Sequence, residues 1–166
     1  NKKLEIDFIN LKSFYKQKEE ITEQELKDFL IEHKDQLKSE HVDFDYAVIN
    51  PKNLIGVDEF NQTFFDKIDQ IEIDISNEVD FETIVSDLEI KAVNIQNFKF
   101  SAEKNEIEKK IFELRKNNFD IFESGDNYVL YKIRDITQKE PDLTDNQTKK
   151  EIVELVNQKN KFDYNK

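Results

Sequence analysis

Few side chains in this chain have the type and spacing that catalysis requires. The sequence contains no cysteine, and with only two glycines it has no Gly-x-Ser-x-Gly turn to activate a serine. The two histidines, His33 and His41, have no further ligand at the spacing of a metal site. A glycosidase requires two carboxylates at a set separation in one cleft. Acid pairs such as Asp43/Asp45 are frequent among the 37 acidic residues, so the sequence does not single out such a pair. The residues therefore predict no cofactor and no metal site.

Charge and composition narrow the range of partners. The net charge is −12, from 37 acids and 25 bases, which disfavours binding to nucleic acid or anionic lipid. No stretch approaches the roughly 20 apolar residues of a membrane span. The two glycines, Gly56 and Gly125, are too few for a phosphate-binding loop. The sequence begins without methionine, and we expect it to be a fragment of a longer protein.

The N-terminal part predicts a strand followed by a helix. Residues 4–11 begin with alternating apolar side chains, which is typical of a strand. Thr22 and Glu25 have the spacing of a capping box, with Ile21 and Leu26 as its hydrophobic staple. We expect His33, on the apolar side of this helix, to be partly buried with one hydrogen bond rather than to be a ligand. The predicted apolar stripe consists of Leu26, Phe29, Leu30, His33 and Leu37.

The middle of the chain predicts two strands separated by helices. Val42 to Ile49 is typical of a buried strand, ended by Asn50-Pro51. A long helix is predicted from Val57 or Asp58 to Ile75. Residues 71–75 could also form a strand, but the continuous stripe favours a helix. A short helix over 80–88 and a strand over 91–98 follow. The inward side of the long helix is predicted to hold Val57, Phe60, Phe64, Ile68, Ile71 and Ile75.

The last third predicts a helix, a hairpin and a second helix. Ser101 is expected to cap a helix over 102–116, and a hairpin over 119–136 is expected to turn at residues 124–127. Residues 138–144 form the best candidate linker, and Thr144 with Gln147 predicts a capping box. The fold class is α+β, with an extension at 1–40, a central domain at 41–138, and a linker with a helix at 139–166. The last helix is predicted to bury Ile152, Leu155 and Val156, with Phe162 as a further candidate.

The order strand, helix, short helix, strand, helix, hairpin resembles a parvulin-type (PpiC-like) peptidyl-prolyl isomerase domain. The resemblance is to the SurA/PpiD family of periplasmic folding factors, and it is closer to the PpiD type. It covers roughly residues 4 to 156 and implies a small antiparallel sheet with helices. The segments that carry the resemblance are 22–29, 44–49, 80–90, 111–114, 128–133 and 141–143.

Two positions depart from the family pattern. The histidine of the first strand falls on Tyr46, the histidine of the last strand falls on Val129, and the family's glycine-rich loop is missing. The family resemblance implies that prolyl isomerase activity is weak or lost, because these histidines flank the substrate pocket. It also implies a peptide-binding groove lined by Tyr46, Val48, Ile107, Phe112, Tyr128 and Val129.

Three functions follow from the resemblance. The first is a chaperone module that binds unfolded or extended segments of envelope proteins in the periplasm, in a parent protein anchored in the inner membrane. The second is an active isomerase with an atypical site, in which Tyr46 donates a hydrogen bond. The third is a noncatalytic docking or structural domain, in which the helices at 23–37 and 145–160 bind a partner.

Overall fold

The computed structural model describes residues 17–165, which form an α+β fold with six α-helices and a four-stranded antiparallel sheet. The strand predicted over 4–11 lies outside the described residues. The chain contacts define two compact units. The terminal unit contains residues 17–39 and 139–165, and the central unit contains residues 40–138. The sequence predicted a central domain over 41–138.

The terminal unit is a pair of helices with a small apolar core. Helix α1 spans Glu23–Glu32, helix α6 spans Asn146–Tyr164, and a single 3-10 turn precedes them at Lys18–Glu20. Leu26, Ile152 and Val156 are buried between the two helices. The predicted capping box is confirmed, because the Thr22 hydroxyl accepts from the Glu25 N–H at 3.3 Å and the Glu25 carboxylate accepts from the Thr22 N–H at 2.7 Å.

The histidine on α1 lies at the end of the helix. His33 is the C-cap residue, so Leu37 of the predicted stripe lies beyond α1. The His33 ring is partly buried, with its centroid 4.4 Å from that of Phe29. Its buried Nε2 makes no hydrogen bond and lies 3.6 Å from the Glu32 carboxylate. The expected hydrogen bond is therefore not made at this nitrogen.

The start of α6 differs from the prediction. Asp145 caps the helix by accepting from the Thr148 N–H at 2.7 Å, so the predicted box of Thr144 and Gln147 is wrong. The Thr144 hydroxyl instead donates to Asp142 at 2.7 Å. The prediction for the apolar side of α6 was half right. Ile152 and Val156 are buried in the cluster with Leu26 of α1, whereas Leu155 and Phe162 lie outside that cluster and are exposed.

The central unit is built on the sheet, whose strand order is β2-β1-β4-β3. Strands β1 and β2 pair antiparallel, as do β3 and β4. Successive side chains point to opposite sides of the sheet, and helices cover each side. The elements in chain order are β1 Ser39–Ile49, α2 Pro51–Ile55, α3 Gln62–Ser76, α4 Phe81–Asp87, β2 Val93–Lys99, α5 Glu106–Leu114, β3 Phe119–Ser124 and β4 Asn127–Lys139.

The two sides of the sheet carry separate apolar clusters. On the α3 face, α3 and α4 pack over residues that include Ala47, Ile49 and Leu130. On the α5 face, α5 buries Ile111 against residues that include Tyr46 and Val129. The central unit therefore has one apolar layer on each side of a single sheet.

The long helix predicted from residue 57 or 58 is wrong at its start. A short helix, α2, comes first and ends at Gly56, whose φ of +77° is left-handed and stops the helix. Helix α3 then starts after Asn61, whose side chain accepts from the Phe64 N–H at 3.0 Å. Val57 and Phe60 lie in the connection and are exposed rather than inward. Residues 71–75 are helical, as the continuous stripe predicted.

The short helix over 80–88, the strand over 91–98 and the hairpin are confirmed, although the helix before the hairpin starts later than predicted. Asn105 caps α5 by accepting from the Ile107 N–H at 2.8 Å, so the assignment of Ser101 as the cap is wrong. The hairpin turns at a two-residue loop, Gly125-Asp126. Gly125 has a φ of +60°, which the first position of a type II′ turn requires.

Candidate functional site

The α5 face contains five of the six side chains predicted to bind peptide. Tyr46 and Val129 belong to its buried cluster, and Val48, Ile107 and Phe112 pack against that cluster. Tyr46 and Val129 lie on β1 and β4, which are neighbouring central strands of the sheet. The two positions that correspond to the family's histidines therefore belong to the same buried cluster.

Tyr128, the sixth side chain, lies on the opposite face. It precedes Val129 on β4, and neighbouring residues of a strand point to opposite sides. Its ring packs against that of Phe64 on α3, with centroids 5.7 Å apart. The structure thus does not bring Tyr128 into the predicted groove.

Tyr46 is closed off from solvent and already has a hydrogen-bond partner. Its side chain is 6% exposed, and its hydroxyl donates to the Glu108 carboxylate on α5 at 3.4 Å. Burial raises the pKa of Tyr46, and the negative charge of Glu108 raises it further. The hydroxyl is therefore protonated at neutral pH, but it is directed at Glu108. A substrate carbonyl could accept a hydrogen bond from this hydroxyl only by displacing the Glu108 carboxylate.

Val129 is fully buried, with 0% exposure. It is opposite Phe122 in the hairpin and carries no polar group. A valine at this position supplies packing for the sheet and nothing that could hydrogen-bond to a twisted amide. Neither of the two positions offers an accessible polar group from its own side chain.

An aromatic ledge on the α5 face is defined by Phe98, Phe100 and Phe112. The Phe112 centroid lies 5.9 Å from that of Phe98 and 5.5 Å from that of Phe100. Phe98 is buried, Phe112 is half-buried, and Phe100 is 44% exposed at the end of β2. Phe100 and Phe112 therefore present apolar surface to solvent on the face that also buries Tyr46 and Val129.

Arg115 packs against the Phe112 ring of the ledge. Its guanidinium carbon is 4.1 Å from the Phe112 centroid, and its Nη1 donates to the Phe112 carbonyl at 2.7 Å. Its Nε forms an ion pair with Glu40, which also accepts from Gln138 at 3.0 Å. Phe100 and Arg115 were not among the residues predicted from the sequence. The alternation of Phe98 and Phe100 about Lys99 was the available signal, since it places both rings on one side of the chain.

The described residues show no metal site and no membrane span. Within residues 17–165, no three His, Cys, Asp or Glu side chains are grouped so as to hold a metal ion. No helix in this range has both the length and the apolar character needed to cross a bilayer.

A scan of protein-family models, a search of curated proteins and a search of solved structures found no match to this chain. The likeness to parvulins thus rests on the sequence segments and on the order of elements alone.

Proposed function

We propose that this chain is a parvulin-like folding-factor module that binds extended segments of unfolded envelope proteins, with prolyl isomerase activity weak or lost. The order of elements supports the proposal. The central unit runs strand, helices, strand, helix and hairpin, with one additional short helix, α2, beyond the order on which the resemblance was based. From the same resemblance, we propose a periplasmic location and a parent protein anchored in the inner membrane.

The burial of Tyr46 and Val129 is the observation that supports the proposed loss of isomerase activity. Prolyl isomerisation has a barrier of about 18–20 kcal/mol, and an enzyme must bind the twisted amide more tightly than the planar one. Tyr46 donates to Glu108 and Val129 is fully buried, so neither favours the twisted amide. The aromatic ledge still offers apolar contact, which serves binding without catalysis.

An exchange experiment tests the absence of catalysis. Cis/trans exchange of an Xaa-Pro peptide takes tens to hundreds of seconds without an enzyme, so modest catalysis is measurable by NMR. We expect no acceleration by catalytic amounts of the chain. Acceleration that the Tyr46→Phe variant abolishes would overturn the proposal in favour of the atypical isomerase.

Suppression of aggregation tests the binding. Light scattering of a chemically unfolded client should fall when the chain is present in excess. Phe100→Ser should reduce this effect, because Phe100 supplies the exposed ring of the ledge. Ile136→Ser is the matched control, since Ile136 is similarly exposed on β4 but is outside the ledge. No suppression by the unmodified chain would favour a docking domain instead.

A further inference from the structure

A second line of aromatic rings lies on the other side of the central unit. Phe60 is 43% exposed and Phe65 is 41% exposed, and their rings stack at a centroid distance of 6.0 Å and an angle of 20°. Both meet the buried Phe64 edge-on, at 5.0 and 5.4 Å. Phe64 in turn contacts Tyr128, so the rings are continuous from the connection before α3 to the hairpin.

Three carboxylates lie near this line of rings. Phe65, Asp69 and Glu72 are spaced i, i+4 and i+7, which places them along one side of α3. Glu123 is directly opposite Tyr128 in the hairpin and accepts from its hydroxyl at 2.9 Å. Burial raises the pKa of Tyr128, with further contributions from the hydrogen bond and charge of Glu123 and from the charges of Glu72 and Asp69. The three acidic side chains are thus electrostatically close to one phenol.

These carboxylates have no cationic partner within the described part of the chain. No Lys or Arg of residues 17–165 forms an ion pair with Asp69, Glu72 or Glu123. The lysines of the neighbouring elements α3 and β4 interact with other groups. Lys132 on β4 pairs with Glu82 at 3.0 Å, and Lys67 on α3 donates to the Leu54 carbonyl at 3.4 Å. The local charge is therefore left for a binding partner to balance.

We propose that this aromatic–acidic surface binds a polypeptide segment in which two or more Lys or Arg side chains flank an aromatic or aliphatic residue. The surface consists of Phe60, Phe65, Asp69, Glu72, Glu123 and Tyr128. The cations of the segment pair with the carboxylates and lie against the ring faces, and its apolar side chain covers Phe60 and Phe65. Nucleic acid and anionic lipid are repelled by the same charges. The proposal does not depend on binding at the ledge, which is on the opposite face of the sheet.

Fluorescence anisotropy with three labelled peptides tests the partner chemistry. The first peptide alternates Lys and Leu about a central Phe, the second has Glu in place of Lys, and the third keeps Lys but has Ser at the apolar positions. We expect the first to bind most tightly and to weaken as salt rises, since exposed ion pairs are screened. Equal binding of the first and second peptides, or of the first and third, would overturn the proposal.

Matched variants test the location. The double variant Asp69→Asn/Glu72→Gln should weaken the first peptide about 2- to 30-fold, which is the range for two exposed ion pairs. The control Asp87→Asn/Glu103→Gln removes the same charge from two exposed acids outside the surface, neither of which has an ion pair in the described residues, and should leave the affinity unchanged. Phe65→Ser should weaken binding about 5-fold or more.

Two results would contradict this location. An equal loss in both double variants would mean that only net charge matters. A dimer in sedimentation that Phe65→Ser dissolves would assign the surface to a second copy of the chain. Circular dichroism checks that each variant is folded, and if Phe65→Ser is not, the two double variants decide the question.

Discussion

Replacing Val129 with histidine, the residue that the family pattern would place there, should destabilise the central unit without producing an isomerase. Val129 is fully buried in the cluster on the α5 face. A larger side chain in a filled core costs about 1–3 kcal/mol. A buried imidazole without a hydrogen-bond partner costs about 1–3 kcal/mol more. We therefore expect a loss of about 2–6 kcal/mol in the free energy of unfolding, out of the ~5–15 kcal/mol of a typical domain.

The loss should grow at low pH. Burial disfavours the charged imidazole, so the pKa of the introduced histidine falls below its usual value of about 6.5. Below a pH of about 6.5, the unfolded chain binds a proton at this histidine that the folded chain does not bind, so the free energy of unfolding falls as the pH is lowered. At pH 5 the additional loss approaches about 2 kcal/mol relative to pH 8.

Urea unfolding followed by circular dichroism at pH 8 and pH 5 measures both effects, with the unmodified chain at each pH as the reference. Tyr128→His is a suitable control, since Tyr128 is on the same strand but is partly exposed on the other face. It should cost less, and its pH dependence should have the opposite sign, because the nearby charges of Glu123, Glu72 and Asp69 favour the protonated imidazole. A Val129→His chain as stable as the unmodified one, or one that accelerates prolyl exchange, would refute the view that this position is closed packing.

Three further predictions concern stability. Burial, with Asp120 nearby, raises the pKa of Tyr131 to about 12. The folded chain therefore keeps this proton to higher pH than the unfolded chain does, and it loses stability as the pH rises from about 10 to about 12. Phenolate absorbance should show a late titration step that Tyr131→Phe removes. Asp145→Ala should cost about 1 kcal/mol in thermal unfolding through the lost α6 cap, whereas Thr144→Ala should cost distinctly less, and the reverse order would contradict the assignment of the cap. Gly125→Ala should cost about 1–2 kcal/mol through its positive φ alone, because nothing lies within 4 Å of an added Cβ, and an unchanged unfolding midpoint would argue against the turn type.

The sequence by itself determined the elements whose signals are local. The hairpin was predicted from Gly125 between two apolar runs. A glycine with positive φ allows a two-residue loop, and such a short loop makes the two strands pair with each other. The start of α1 follows from Thr22 and Glu25, because each satisfies a backbone N–H within one turn. The helical period also identified the α3 residues that face the sheet, such as Phe64 and Ile68.

Only the tertiary structure decided which apolar residues are buried and which side chains meet. Phe60 and Phe64 fit one helical stripe in the sequence, yet Phe60 is exposed because α3 begins after it. Tyr128 and Val129 are neighbours in sequence, yet the pleat of β4 sends one to α3 and the other to α5. The spacing of side chains along a chain sets local conformation, but burial depends on what packs against each face. That depends on contacts between residues far apart in the sequence, such as Tyr46 with Glu108.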